Sequence, residues 1–199
     1  VLVGAMLVGD SVRHSLHALA LMRLGDIGAG LNTQNRFFDV ALGRQLEAEI
    51  GVSVAACLGL AGTLVGQQAD GLDRRQLNKV QVLGVDDRFW KLAGASVSSP
   101  GRSQIALSSK VAVALGLRPG DEISLRVRKP TLLSRDAPLS SRQEKLSARG
   151  LLTVSRIVPD SELGRFSLEG SQVAPANVFV NRDWLCEKVD LENRANLLL

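Results

Sequence analysis

Apolar and polar residues alternate most regularly in one central stretch, Ile105–Val127. A short apolar run leads into two serines, either of which can cap a helix. Apolar residues then recur at helical spacing up to Gly116, which suits a left-handed C-terminal cap. Pro119 and Gly120 supply a type II turn, and the alternation that follows predicts a strand. The stretch therefore predicts strand, short helix, tight turn and strand, with no nucleophile, metal ligand or phosphate-binding loop.

The same two periodicities predict the elements on either side of this stretch. They indicate helices over 10–24 and from an Asn35 cap to Ile50, antiparallel strands over 52–65 and 79–85, a short helix over 86–92, strands over 151–158 and 177–180, a helix capped by Asn181, and a last strand from Ala195. Segments 67–78 and 95–102 lack such periodicity and predict loops. Residues 130–149 are polar and aperiodic, which predicts a long mobile loop or a hairpin insertion.

The opening run, Val1–Gly9, is apolar and uncharged. It is shorter than the about 20 residues that a membrane span needs. It predicts either a core strand or the outer end of a spanning helix that leaves the bilayer as the amphipathic helix over 10–24. Because the sequence starts with Val1 and stops in a predicted strand, we expect a piece of a longer membrane protein.

Composition narrows the function classes. The chain has 199 residues, of which 45% are hydrophobic but only 4% aromatic, so its core must be aliphatic. Its net charge is +4 and its basic residues are scattered. Nucleic-acid surfaces combine a basic stripe with stacking aromatics, so no nucleic-acid partner is expected.

The two cysteines, Cys57 and Cys186, are too few for a disulfide framework. Cys57 lies in an apolar run and is expected to be a buried free thiol. Whether the two pair in an oxidising compartment stays open at this stage.

A possible nucleophile follows the first apolar run. The sequence Gly9-Asp10-Ser11 resembles the first block of the GDSL hydrolases, which would make Ser11 the nucleophile. That chemistry needs a general base and oxyanion donors, and the family's later Asp-x-x-His and Gly-x-Asn-Asp blocks are absent. An N-cap is therefore the preferred interpretation of Ser11.

Metal and nucleotide sites are not expected either. His14 and His17 could share a metal with Asp10, but a zinc site needs three or four protein ligands, and a solvent-facing pair is preferred. Asp121 and Glu122 follow a turn and resemble ordinary surface charges. No Walker loop is present. The sequence therefore predicts no enzyme, no catalytic, cofactor or metal-binding residues, and no cofactor.

Taken together, the elements resemble the extracytoplasmic domain of ABC-transporter permeases of the MacB/FtsX type. Four blocks carry the resemblance: Val1–Leu24, Val82–Trp90, Ile105–Leu125, and Leu151–Asp160 with Ala176–Leu185. The resemblance implies an α+β fold, the MacB-like periplasmic core domain, in which a mixed α/β lobe near the membrane carries an inserted β-rich lobe. It places residues 1–26 at the end of the first membrane helix and its continuation, 27–85 and 172–199 in the first lobe, and 86–171 in the second.

The resemblance also implies a function and partners. The domain would lie on the periplasmic side of the cell membrane and transmit ATP-driven motion to the export or release of a substrate. Its partners would be a cytoplasmic ABC ATPase, a second permease subunit, a periplasmic protein, and the membrane through flanking helices.

Two alternatives remain beside this interpretation. A free-standing extracytoplasmic binding module is one. The other concerns the fold of the central stretch, whose Leu-Gly and Gly-Asp pairs also occur in double-psi β-barrels. Such a barrel would be a closed ring of six strands with a symmetric copy of this unit, and the sequence contains no second Leu-Gly…Gly-Asp pattern.

Overall fold

In the computed structural model the described residues are 11–18, 21, 23–67, 74–94, 97–130, 147–169 and 173–199. Val1–Gly9 and most of the polar stretch over 130–149 lie outside them. The N-terminal helix α1 is described at 11–18, 21 and 23–24, and Gly25 follows it with a positive φ of 54°. Within the described chain, no helix has the length and apolar character needed to cross a bilayer.

The remaining elements alternate strands with short helices. The strands are β1 (Leu31–Asn32), β2 (Phe38–Asp39), β3 (Ala56–Gln67), β4 (Arg74–Val85), β5 (Gln104–Ser108), β6 (Glu122–Arg128), β7 (Ser147–Val158), β8 (Ala176–Asn181), β9 (Arg194–Ala195) and β10 (Leu197–Leu198). The helices are α2 (Ala41–Ile50), α3 (Asp87–Leu92), α4 (Ser109–Leu115) and α5 (Arg182–Lys188).

The strand, short helix, turn and second strand of the central unit form as predicted, but the expected serine cap does not, because the Ser108 side chain makes no capping hydrogen bond. Strand β5 leads directly into α4, and Gly116 ends the helix with a φ of 68°. The Leu117 backbone N–H then folds back to the Ala112 carbonyl at 3.0 Å, which is the bond expected of a left-handed cap. Gly120 has a φ of 97° in the turn before β6. Local sequence alone is therefore sufficient to specify this unit.

Six strands close into a ring in the order β3, β4, β8, β5, β7, β6 and back to β3. The β4–β8 and β5–β7 pairs are parallel, and the other four are antiparallel. Gly62 of β3 lies at the closure, paired with Val80 on one side and Val127 on the other. A closed ring leaves no free edge among these six strands.

The ring contains an internal repeat. Its first half is the β3–β4 hairpin, the short helix α3, strand β5 and helix α4; its second half is the β6–β7 hairpin, a 3₁₀ turn at Asp160–Glu162, strand β8 and helix α5. Strands β4 and β7 both have 12 residues, and helices α4 and α5 both have 7. A left-handed residue follows each helix: Gly116 is the C-cap of α4, and Asp190 lies one residue beyond Val189, the C-cap of α5. The second half has the same topology as the first but not its Leu-Gly…Gly-Asp pattern, so the absence of a second pattern in the sequence did not exclude a symmetric counterpart.

The core follows from the alternation of the ring strands. One cluster fills the ring and includes Leu58, Leu64, Ile105, Leu125 and Val178, with α4 and α5 packed against it. A second cluster lies on the outer face, where α3 packs against β4, β5 and β8. Successive β8 residues show the division, since Val178 belongs to the inner cluster and Phe179 to the outer one.

The segment before the ring differs from its prediction. The second helix begins at Ala41 rather than after Asn35, because Phe38 and Asp39 pair with Ala195 and Arg194 instead. The Asp39 carboxylate accepts the Ala41 backbone N–H at 2.8 Å at the helix start. The predicted left-handed end at Gly51 is confirmed.

Two strands are longer than predicted. β4 begins at Arg74, inside the segment predicted as a loop, and β7 begins at Ser147, inside the predicted insertion. The strand residues before each apolar run, such as Arg75, Asn78 and Arg149, are exposed, which accounts for their polar sequence.

The α+β fold class is confirmed. Both predicted lobes contribute strands to the one ring: β3, β4 and β8 of the first lobe form one side, and β5–β7 of the second form the other. The two sides are joined by the β3–β6 and β5–β8 pairs, so hydrogen bonds cross between the predicted lobes.

Candidate functional site

The residues considered as a nucleophile or metal ligands lie on α1. Ser11, His14 and His17 are all exposed, and Asp10 is outside the described residues. The Ser11 carbonyl accepts the Ser15 hydroxyl at 2.9 Å, a bond within the helix. In the described ranges, no three His, Cys, Asp or Glu side chains are grouped closely enough to hold a metal ion. The absence of catalytic and metal sites remains a prediction.

The Asp121 carboxylate has a structural contact in the turn before β6. It accepts the Arg118 backbone N–H at 2.7 Å, while the Asp121 N–H donates to the Arg118 carbonyl at 3.1 Å. Glu122 is exposed at the start of β6. Asp121 thus stabilises the turn that joins α4 to β6.

The two cysteines are free thiols in different clusters. Cys57 is fully buried in the outer cluster, and Cys186 is buried in the inner one. Burial raises the pKa of the Cys57 thiol far above its usual range and that of Cys186 to about 11. Both thiols are therefore protonated at neutral pH, which disfavours reaction as nucleophiles.

Helix α3 connects the ring to α2. Asp86 caps α3 by accepting the Arg88 N–H at 3.1 Å and pairs with Arg182, the first residue of α5, at 2.6 Å. Arg182 also donates to the Ala56 carbonyl at 3.2 Å, at the start of β3. On its other side, Arg88 of α3 pairs with Glu47 of α2 at 3.2 Å. Two ion pairs thus link α2, α3 and α5.

Aromatic residues fix α3 on the outer face of the ring. Phe89 and Trp90 are fully buried and lie edge to face, with ring centroids 5.2 Å apart. The Arg156 guanidinium lies 4.3 Å from the Trp90 ring and pairs with Glu162 at 2.8 Å. These contacts hold α3 on the outer face of the ring, so the few aromatic residues of the chain are concentrated in the outer cluster.

A polar groove of about 690 Å³ lies outside the ring beside β3 and β4. Its volume is within the range of about 300–1,000 Å³ typical of small-molecule sites. Gly59, Leu60 and Ala61 of β3 line it together with residues of β1, β4 and β10, the end of β6, and Glu169. Its residues come from distant parts of the sequence, so local sequence patterns do not indicate it.

Two residues that line this groove have backbone conformations that non-glycine residues seldom adopt. Gln34 has a φ of 54° and Lys79 a φ of 57°. Lys79 lies in a β-bulge, where the β3–β4 register shifts between Gly62 and Leu64. Such conformations cost roughly 1–3 kcal/mol and are more frequent at functional sites. The left-handed backbone of Lys79 follows from its pairing with β3 and is not visible in the local sequence, so the sequence contained no local signal for the groove.

Comparisons with known proteins find likenesses among solved structures. No protein-family model matches the chain, and no curated protein matches it. Among solved structures, the periplasmic region of MacB from Actinobacillus actinomycetemcomitans is similar, with a TM-score of 0.49 and 11% sequence identity. The match covers 85% of this chain and 71% of the MacB chain.

Proposed function

We propose that the chain is the extracytoplasmic domain of an ABC-transporter permease that couples the movement of membrane helices to the export or release of a substrate. The proposal assigns the domain no catalytic residues and places ATP hydrolysis in a cytoplasmic partner. The other partners proposed are a second permease subunit and a periplasmic protein.

The observation that carries the proposal is the pairing of β1 with β10. Leu31 lies opposite Leu198, so the strand that follows α1 and the last strand of this chain are neighbours at one edge of the sheet. A domain inserted between two membrane helices needs its two connections side by side. Adjacent ends also occur in free-standing domains, so further support has to come from α1.

Helix α1 presents apolar residues to solvent. Val12, Leu16 and Leu21 are 52%, 42% and 54% exposed. Val12 and Leu16 are four residues apart and share one face of the helix, and an exposed apolar face typically contacts a membrane or another protein. This exposure supports the view that α1 continues a membrane helix and packs against other parts of the permease.

Helix α3 provides a route by which such motion could reach the ring. The Glu47–Arg88 pair joins α2 to α3, and the Asp86–Arg182 pair joins α3 to α5. A displacement of α2 would therefore act on the ring through α3. We propose this connection as the coupling element of the domain.

The six-stranded ring does not decide between transport and a free-standing binding module. A closed ring of six strands is the form expected if the central unit belongs to a double-psi β-barrel. However, three of the four blocks that resemble the permease family also contribute strands to this ring. Because one fold can serve unrelated functions, the choice depends on where the domain lies in the cell.

Cysteine labelling in intact cells would test the location. Val113 on α4 is 80% exposed, whereas both native cysteines are buried. The experiment uses the full-length gene product, with any cysteines beyond this chain replaced by serine. A maleimide that cannot cross the inner membrane should label Val113→Cys in cells whose inner membrane is intact, after any outer membrane has been made permeable. Permeabilising the inner membrane should not increase the labelling.

The neighbouring residue provides the control. Ala112 lies on the same helix but is only 4% exposed, so Ala112→Cys should be labelled only after unfolding. Labelling of Val113→Cys that requires inner-membrane permeabilisation would place the domain in the cytoplasm and refute the proposal. Recovery of the full-length protein in the soluble fraction would favour the free-standing module.

A further inference from the structure

The groove beside β3 brings two cationic side chains to opposite sides of one strand. Gly62 of β3 pairs with Val80 and with Val127, and Lys79 and Arg128 are the next residues on those two strands. Neighbouring strands are about 4.8 Å apart, so the backbones of β4 and β6 are about 10 Å apart here. Lys79 lies on the Thr63 side of Gly62 and Arg128 on the Ala61 side, so their Cα atoms are also offset along the strand and are roughly 12 Å apart. Two long side chains at that separation can reach a common ligand.

The strand between the two cations offers no obstacle. Ala61, which lines the groove, is small and exposed. Gly62 does not line the groove, because a Cβ atom there would point into the ring, 2.6 Å from Val82 Cγ2. At Ala61, β3 therefore places no large side chain between the two cations.

Neither cation is neutralised in the described part of the chain. Lys129, which also lines the groove, pairs with Asp190, but the Lys79 and Arg128 side chains form no hydrogen bond or ion pair there. Glu169 is the one carboxylate among the lining residues. The net charge of the lining residues is therefore positive. The amide side chains of Asn32 and Gln81 line other parts of the groove.

We infer that this groove binds a small anionic ligand that carries phosphate or carboxylate groups, with its charged oxygens between Lys79 and Arg128. Guanidinium and ammonium groups form their strongest hydrogen bonds with these oxygens. The left-handed backbone of Lys79 supports the inference, because glycine would hold that bulge without strain but would supply no charge. The inference does not depend on a role in transport.

Calorimetric titration of the 199-residue chain with pyrophosphate, and separately with citrate, would test this site. We expect saturable 1:1 binding of at least one anion. Lys79→Gln and Arg128→Gln should each weaken it roughly tenfold, since one charge-assisted hydrogen bond is lost. Binding of pyrophosphate alone would assign a phosphate-bearing ligand, and binding of citrate alone a carboxylate-bearing one.

Two further variants separate binding from folding and from general charge. Lys79→Gly fits the bulge, so it should keep the unfolding temperature and still lose affinity. Arg102→Gln removes a cation that pairs with Glu187 on the surface and lies outside the groove lining, and it should bind as the unmodified chain does. The inference is refuted if neither anion binds saturably, or if Arg102→Gln weakens binding as much as Lys79→Gln.

Discussion

The Arg182 guanidinium lies 2.6 Å from the Asp86 carboxylate, and both side chains are largely shielded from solvent. Asp86 follows β4 and caps α3, whereas Arg182 opens α5. The pair thus joins the two halves of the internal repeat at the point where the chain leaves two parallel strands, β4 and β8.

This pair should contribute measurably to stability. Asp86→Ala removes both the cap and the ion pair, and should lower the free energy of unfolding by about 2–4 kcal/mol. Asp86→Asn should lose less, because asparagine caps helices as well as aspartate does. Asp183 also contacts Arg182, at 3.3 Å, but its side chain is exposed, so Asp183→Asn should change stability little. Urea unfolding would measure all three, and equal losses for Asp86→Asn and Asp183→Asn would contradict the assignment.

A second prediction concerns the closure of the ring at Gly62. Gly62→Ala would place a Cβ atom against Val82 and the Arg126 carbonyl, so we expect a loss of about 1–3 kcal/mol from overpacking. Gly28 is the matched control, because a Cβ atom there would meet no atom within 4 Å. Thermal unfolding of both variants would test this, and a Gly62→Ala variant as stable as Gly28→Ala would argue against tight closure.

The sequence was most informative where structure depends on neighbours in the chain. The Ser108-to-Gly120 segment carries its own left-handed helix end and turn, and both form as predicted, whereas the expected capping bond of Ser108 is not formed. The start of α2 was misplaced because Phe38 and Asp39 pair with β9, more than a hundred residues later. The pattern of apolar positions at 38–50 does not indicate that Phe38 and Asp39 pair with another strand.

Ring closure was beyond local patterns for the same reason. It depends on the parallel β4–β8 and β5–β7 pairs, whose partners are far apart in sequence. The repeat was hidden because equivalent helix positions have diverged: Val111, Ala112 and Leu115 are buried in α4, whereas α5 buries Leu185 and Cys186. Burial restricts these positions to apolar residues but does not preserve a motif.

The buried thiols predict how stability depends on pH. Burial raises the folded-state pKa of both cysteines above the ordinary value of 9.0, to about 11 for Cys186. Below pH 9 their contribution to stability is complete. As the pH rises above 9, the unfolded chain releases thiol protons that the native state retains, so stability falls, by up to about 1.4 kcal/mol per pH unit for each thiol.

Urea unfolding between pH 8 and pH 10.5 would measure this effect. Other groups titrate in the same range, so the comparison is with the Cys57→Ala/Cys186→Ala variant, whose stability should decline less steeply. Parallel declines in the two proteins would show that the thiols do not contribute. An impermeant maleimide should also fail to label either cysteine at pH 7 unless the chain is unfolded.

The last prediction uses the internal repeat as its own control. Ser108 and Asn181 are equivalent N-cap residues, each the last residue of a strand that leads directly into a seven-residue helix. The Asn181 side chain accepts the Trp184 backbone N–H at 3.0 Å, whereas the Ser108 hydroxyl is buried and has no partner among the described residues. Asn181→Ala should therefore cost about 1 kcal/mol. Ser108→Ala should be neutral or stabilising, because it removes a buried polar atom that forms no hydrogen bond. Chemical unfolding of the two variants would decide the point, and a larger loss for Ser108→Ala would mean that its hydroxyl has a partner in solution, such as a bound water molecule.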